Sequence, residues 1–259
     1  MTGLLSYDLH GPAGTPVVVL GSSLGTTRDM WAEQLPAFAG QLRVLRYDHL
    51  GHGGSPVPPG PYTVAGLAAD VIALLDHLGI ERAHFGGLSL GGMVAMQVAA
   101  TQPERVDRLA LLCTSAHLPP ASGWTARAAA VRSGGMAAVA GPVAARWFTP
   151  AFAGSARAAQ LRDGLLTIPA EGYAGCCEAI AAMDLRPQLT SIRAPVLVIA
   201  GDADPATPPP HADRIAAGIR AGGGSARVKL VSPAAHLANV EQSAAVTGLM
   251  LSHWTGQQD

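Results

Sequence analysis

Short, largely apolar runs recur along this chain: Val17-Val18-Val19-Leu20, Val44-Leu45-Arg46-Tyr47, Leu109-Ala110-Leu111-Leu112 and Val196-Leu197-Val198-Ile199. Runs that do not alternate with polar residues suit strands covered on both faces, as in a parallel sheet. Ala83 to Leu88 and Arg227 to Val231 read as two further strands. Between them the spacing turns helical. In the stretch from Val64 to Leu78, the residues Leu67, Val71, Leu74, Leu75 and Leu78 share one face. Gly91 to Ala100, Ala212 to Arg220 and Val240 to Trp254 also read as helices. Strands alternating with helices predict an α/β fold with a doubly wound, mostly parallel sheet.

The alternation breaks between about Pro119 and Pro187, where the chain is Ala-rich, helically spaced and without a convincing strand. An all-helical insertion between two strands of such a sheet is expected to cover the carboxyl edge, where ligands bind. The expected division is therefore a core of residues 1–118 and 188–259 with a helical cap, or lid, of residues 119–187. Gly222-Gly223-Gly224-Ser225 reads as a flexible loop before the last strand.

The candidate chemistry sits where the strand Ala83–Leu88 meets the next helix, in Gly87-Leu88-Ser89-Leu90-Gly91. Glycines flanking a serine in a strand-to-helix turn let the backbone bend sharply enough to lift the hydroxyl clear of the sheet. The helix that follows aims its free N–H groups and the positive end of its dipole at the same spot. With 31 glycines in the chain, a serine between two of them carries little weight alone. Its partners add the weight. A serine nucleophile needs a base, and the base needs an orienting carboxylate. Asp204 follows the strand ending at Ile199, and His236 follows the strand ending at Val231. Ser89, Asp204, His236 is the chain order of the α/β-hydrolase triad. Asp202 competes with Asp204, but the spacing Gly201-x-x-Asp204 followed by prolines favours Asp204. Taken singly, the Asp would be a solvated turn carboxylate and the His a loop residue with a local hydrogen bond.

An oxyanion hole needs a second N–H from the loop after Val17–Leu20, and the backbone N–H groups of Leu24 and Leu90 are the candidates. His52, in Gly51-His52-Gly53-Gly54-Ser55, is expected to tie a loop together. That segment runs into Pro56 rather than a helix, which argues against a phosphate cradle. His117 follows a strand and is expected to be structural. His10, His77, His84, His211 and His253 show no metal-ligand spacing, so neither a metal nor an organic cofactor is expected.

Composition narrows the picture further. A length of 259 residues suits one large α/β domain or two small ones. A net charge of −1 gives no reason to expect nucleic acid or a membrane surface as partner, and no pattern sets an oligomeric state. The start, from Met1 to Asp8, lacks a basic stretch leading into an apolar run. Cys113, Cys176 and Cys177 are too few for a disulfide framework. These features together suggest a soluble cytoplasmic protein. Charged residues are only 14% of the chain, yet Arg127, Arg132, Arg146 and Arg157 fall between Pro119 and Leu161 with no Asp or Glu among them. They form either a solvated basic face or a clamp for a substrate carboxylate. Trp124 and Trp147 lie near these arginines and either wall an apolar pocket or fill the lid's own core.

Along almost its whole length the chain resembles the 3-oxoadipate enol-lactonases of bacterial aromatic catabolism. The likeness is carried by Ser23-Leu24-Gly25, Met30-Trp31, Arg43 to Asp48, Gly51 to Ser55 and Gly87 to Met93. Arg146-Trp147-Phe148-Thr149-Pro150, Glu171 to Glu178, Asp204 to Pro209 and His236 to Gln242 complete it. The Arg-Trp-Phe-Thr-Pro and Glu-Gly-Tyr segments are the more specific. The chain departs at Leu50, where relatives commonly carry arginine, and at Ser22-Ser23, where many carry His-Gly. The resemblance implies that Ser89 opens the lactone through an acyl-enzyme, with His236 as base and Asp204 behind it. It implies an anionic lactone substrate, held by Arg127 or Arg132 with Trp124 and Trp147. Other expectations that keep the triad are a carboxylesterase, a C–C hydrolase or a cofactor-free perhydrolase. A lactone-sensing binding protein of the same fold would bind without multiple turnovers.

Overall fold

The computed structural model describes residues 3–256; Met1 and Thr2 of the leader reading, and residues 257–259, lie outside the described residues. The chain runs β1 (Tyr7–His10), β2 (Val17–Gly21), α1 (Leu35–Ala39), β3 (Arg43–Tyr47), α2 (Val64–His77), β4 (Ala83–Leu88), α3 (Leu90–Thr101) and β5 (Val106–Leu112). Helices α4 (Ala121–Gly134), α5 (Ala137–Ala144), α6 (Pro150–Ala153), α7 (Ala156–Leu166) and α8 (Ala170–Ala182) follow with no strand between them. The sheet resumes with β6 (Val196–Gly201), α9 (Pro210–Ala221), β7 (Ala226–Val231), α10 (Ala238–Glu241) and α11 (Ser243–Thr255).

The strands form one sheet in the order β1-β3-β2-β4-β5-β6-β7, parallel except that β1 pairs antiparallel with β3, from Tyr7 opposite Tyr47 to His10 opposite Val44. Every residue of β4 and β6 is buried, as inner strands of a parallel sheet covered on both faces must be. Strand β1 was not foreseen. It is a half-buried edge strand of four residues, and its Asp8 is held by the guanidinium of Arg46 at 2.8 Å. A charge on so short an edge discourages pairing with another chain and breaks the apolar pattern that marks the inner strands.

Helix α2 starts where the Thr63 hydroxyl accepts the Gly66 N–H at 2.9 Å, and Gly79 turns the chain away after it with φ 67°. The helix expected from Val240 to Trp254 is instead two, broken at Gln242 (φ −121°, ψ 51°). The short α10 is held apart because its Glu241 accepts the Ala235 N–H at 2.9 Å. The glycine run before β7 is not a loose loop either. Gly222, Gly223 and Gly224 donate their N–H groups to the last turn of α9, with Gly223 at φ 81°.

Between β5 and β6 the insertion is all-helical, with α4 packed on α8. His117 and Asp184 form an isolated antiparallel bridge where it leaves and rejoins the sheet, and His117 Nδ1 lies 3.1 Å from the Met183 carbonyl. The more specific segments of the sequence do the docking. Gly172 on α8 meets Gly51 backbone to backbone: a Cβ on Gly172 would stand 2.1 Å from the Gly51 oxygen. The Trp147 carbonyl accepts the Leu237 N–H at 2.9 Å, and Glu241 also accepts the Thr149 N–H. These contacts seat the helices on the loop after β3 that carries Gly51 and on the segment that follows His236.

Candidate active site

Ser89 sits at the β4–α3 turn with φ 54° and ψ −113°, a conformation rare outside glycine. Its surroundings hold it there. The Ser89 N–H donates to the Leu112 carbonyl at 2.9 Å, and the Ser89 carbonyl accepts the Thr114 hydroxyl at 2.7 Å. The flanking glycines are required by packing. A Cβ on Gly87 would come within 2.3 Å of Gly91, and a Cβ on Gly91 within 2.2 Å of the Gly21 oxygen. Strain fixed by this many contacts is what lifts the hydroxyl off the sheet.

His236 Nδ1 lies 2.9 Å from Asp204 Oδ2, with both side chains buried. The other Asp204 bonds come from its own turn: Ala206 N–H (2.8 Å) and Thr207 N–H (3.1 Å) to Oδ1, and the Thr207 hydroxyl (2.7 Å) to Oδ2. Burial alone would raise this carboxyl's pKa. The imidazole and the Thr207 donors outweigh it and hold the pKa at about 2. An ionised Asp204 keeps the proton of a neutral His236 on Nδ1, which leaves Nε2 as the free acceptor. Asp202 is occupied elsewhere, accepting the Ser232 hydroxyl at 2.6 Å and the Ala234 N–H at 2.9 Å. It shapes the loop that leads to His236.

Ser89 and His236 line one cavity, without a direct hydrogen bond between them among the described residues. Such bonds often tighten only when substrate is bound. The cavity is tight, with about 70 Å³ of internal volume beneath a wider mouth. Leu24 also lines it. Leu90 is the first residue of α3, so its N–H has no acceptor one turn back. Of the two residues proposed for the oxyanion, Leu24 borders the cavity and Leu90 follows directly on Ser89, which borders it too.

The lid residues divide. Trp124, Arg127 and Trp147 line the cavity, and the Arg127 guanidinium stands 4.5 Å from the Trp124 ring centroid. Arg132, expected as an alternative to Arg127, does not line it. Its Nε donates to Glu171 at 2.8 Å and its Nη2 to Glu178 at 2.9 Å, which spends the guanidinium on α8. This corrects the expectation. The acids were missed because they stand 39 and 46 residues along the chain. Arg157 is likewise taken by Glu33 at 2.6 Å and Asp29 at 2.8 Å. Arg146, one of the four lid arginines marked in the sequence, and Tyr173, which was not singled out, also line the cavity; both lie within segments that carried the resemblance. The Tyr173 hydroxyl is buried beside Arg127 without a well-formed hydrogen bond, and burial raises its pKa. Thr207 was also missed; nothing in the sequence marks a hydroxyl that supports the acid.

Among the described residues no group of three or more His, Cys, Asp or Glu is placed to hold a metal ion, and no helix is long and apolar enough to cross a membrane.

A serine elbow, an imidazole and a buried carboxylate on the carboxyl edge of this sheet define a hydrolase of the α/β class. Residues 16–243 match the family described as alpha/beta hydrolase fold. The chain is 44% identical to 3-oxoadipate enol-lactonase 2 of Acinetobacter baylyi over 205 residues, 78% of this chain and 77% of that one. Enol-lactonase 1 of the same organism is 40% identical over the same shares. The solved enol-lactonase from Burkholderia xenovorans LB400 is 41% identical with a TM-score of 0.93, covering 97% of this chain and 96% of its own. A hydrolase from Pseudomonas aeruginosa PA01 is 46% identical with a TM-score of 0.92, covering 96% and 94%. The chain belongs to the alpha/beta hydrolase family, in the group that contains these enol-lactonases.

Proposed function

We propose that the protein hydrolyses 3-oxoadipate enol-lactone to 3-oxoadipate in bacterial aromatic catabolism, the β-ketoadipate pathway, as a cytoplasmic enzyme. The observation that carries this reading is one cavity lined by Ser89 and His236 and by Arg127 and Arg146, two guanidiniums with no carboxylate partner among the described residues. A neutral ester gives no use for two cations there, whereas a lactone with a carboxylate arm does. In this reading residues 119–187 act as a cap on a core of 1–118 and 188–259. Three free cysteines, all buried, suit a reducing compartment.

The Ser89 hydroxyl attacks the lactone carbonyl while His236 Nε2 takes its proton, and ionised Asp204 stabilises the imidazolium. The Leu24 and Leu90 N–H groups hold the tetrahedral oxyanion. Its collapse breaks the ring C–O bond and expels an enolate, a better leaving group than a simple alkoxide. The enolate takes the proton from the His236 imidazolium, which leaves His236 neutral again, and the resulting enol tautomerises to the ketone while its acyl end stays on Ser89. Water, deprotonated by His236, then attacks the acyl-enzyme and frees the product. Arg127, stacked on Trp124, and Arg146 hold the carboxylate, with the Tyr173 hydroxyl as a further donor and Trp147 as apolar wall.

The test is a steady-state assay on purified enol-lactone beside a neutral aryl ester, with wild type and Ser89→Ala. Wild type is expected to prefer the lactone, with product in large excess over protein. Ser89→Ala should lose about 10⁴-fold or more in kcat while melting like wild type. Comparable wild-type rates on both substrates, or near-full activity of Ser89→Ala, would sink the proposal.

A further inference from the structure

The stretch Ser22-Ser23-Leu24-Gly25 carries one of the two oxyanion donors but lies outside any helix or strand, so something must fix the direction of the Leu24 N–H. The surrounding bonds identify what does. The Ser23 carbonyl, on the same peptide plane as the Leu24 N–H, accepts from the Thr26 N–H (3.1 Å) and the Thr26 hydroxyl (2.8 Å). Because that peptide is trans and planar, drawing the carbonyl one way sends the N–H the other. One residue back, the Ser22 carbonyl accepts from the Gly91 N–H of α3 (3.0 Å) and from His49 Nε2 (2.9 Å). One residue forward, the Gly25 N–H donates to His52 Nε2 at 3.1 Å.

These partners set the two histidines' tautomers. A carbonyl can only accept, so His49 carries a proton on Nε2. An N–H can only donate, so His52 Nε2 is bare and its proton is on Nδ1, 3.3 Å from the Leu50 carbonyl. Both rings are buried, and burial pushes each pKa down to about 4, so both are neutral at ordinary pH. A protonated His52 would have no lone pair for Gly25. The stretch has no room to adjust by another route. Gly25 has φ 82°, and a Cβ there would stand 2.6 Å from Leu165 of the lid.

We infer that His52, with His49 as its counterpart on Ser22, is a positioning residue of the oxyanion hole, aiming the Leu24 N–H by accepting the hydrogen bond of the Gly25 N–H. The inference rests on the triad proposed above, but not on the identity of the substrate. It assigns chemistry to the Gly51–Ser55 segment, which otherwise reads only as a tight turn. His52 touches no substrate. Its effect is exerted on the transition state, where the oxyanion forms, and not on ground-state binding.

The experiment compares His52→Gln, whose side-chain oxygen reaches near the position of Nε2, with His52→Leu, which has no acceptor, and His52→Asn, whose amide is too short. Each is assayed on the enol-lactone and on p-nitrophenyl acetate, and for the rate at which a fluorophosphonate labels Ser89. His52→Leu and His52→Asn are expected to lose about 10²-fold in kcat and in labelling rate, with KM within about threefold of wild type. His52→Gln should remain within about tenfold of wild type. Thermal melts check the folding, and should His52→Leu not fold, the Gln and Asn pair decides. Equal rates for Gln and Asn, or a loss confined to KM, would overturn the inference. A wild type inert on the enol-lactone but active on the ester and the fluorophosphonate overturns the proposed substrate instead, and leaves the His52 comparison intact.

Discussion

A guanidinium is useful to an anionic substrate only if no carboxylate of the protein has claimed it, and the lid arginines differ in that respect. Arg127 stands over Trp124 at 4.5 Å and faces the cavity, while Arg132 is shared between Glu171 and Glu178. Charge-assisted hydrogen bonds are worth about 1.5–3 kcal/mol, so Arg127→Ala should raise KM for the anionic lactone roughly ten- to a hundredfold. KM for a neutral ester should move little. Arg132→Ala should leave both KM values near wild type. Its ion pairs are about one-third exposed, so its loss should cost no more than about 1 kcal/mol, or roughly 2–4 °C in Tm. A larger KM change from Arg132→Ala than from Arg127→Ala would reverse the assignment. The sequence alone could not separate the two. Ser89, Asp204 and His236 were legible because each follows a strand whose apolar run marks the sheet's carboxyl edge. Arginine partners 39 and 46 residues away follow no such periodicity.

At the scale of elements, the inner strands and the long helices were legible because each has a single repeating environment, buried on both faces or along one stripe. The exceptions lie where tertiary contact overrides the local pattern. Strand β1 carries a charged residue on a half-buried edge, and the last helix breaks at Gln242 where Glu241 is drawn back to Ala235. The seating of the lid was hidden for the same reason, since it depends on two glycines far apart in the chain. Gly172 and Gly51 touch backbone to backbone, and the only way to add a methyl group is to push α8 away from the turn bearing His49 and His52. Gly172→Ala should therefore destabilise the fold by about 1–3 kcal/mol and lower turnover, since Tyr173 moves with its helix. Gly164→Ala on α7 is the matched control: a Cβ there meets nothing within 4 Å, and it should be neutral or add up to about 1 kcal/mol. Urea unfolding of the two variants measures the difference. Equal midpoints would show that the Gly51–Gly172 contact yields more easily than the geometry implies.

For the whole molecule, the alternation of strands and helices pointed to an α/β fold and the composition to a chain with little charge. It did not show that several histidines would be enclosed as neutral rings. His49, His52 and His253 each have a pKa pushed down to about 4, with burial the largest cause in every case, against an ordinary value of 6.5. The unfolded chain binds protons on these rings as pH falls below 6.5, while the folded chain resists until about 4. Proton uptake by the unfolded state alone makes stability fall with pH across that window. Each ring contributes about 1.4 kcal/mol per pH unit, or roughly 2 kcal/mol lost between pH 7 and 5. Asp204, with its pKa of about 2, acts in a lower range: its contribution is intact above pH 3.8 and disappears as pH falls through 2. Denaturant unfolding at pH 7, 6 and 5 should therefore show a steady loss of stability well before any carboxylate is neutralised. His52→Gln should flatten the curve by one ring's share, since its amide takes up no proton in either state. A stability that stays level from pH 7 to 5 would mean that these imidazoles reach solvent readily, and an oxyanion loop braced by them would then be open to water as well.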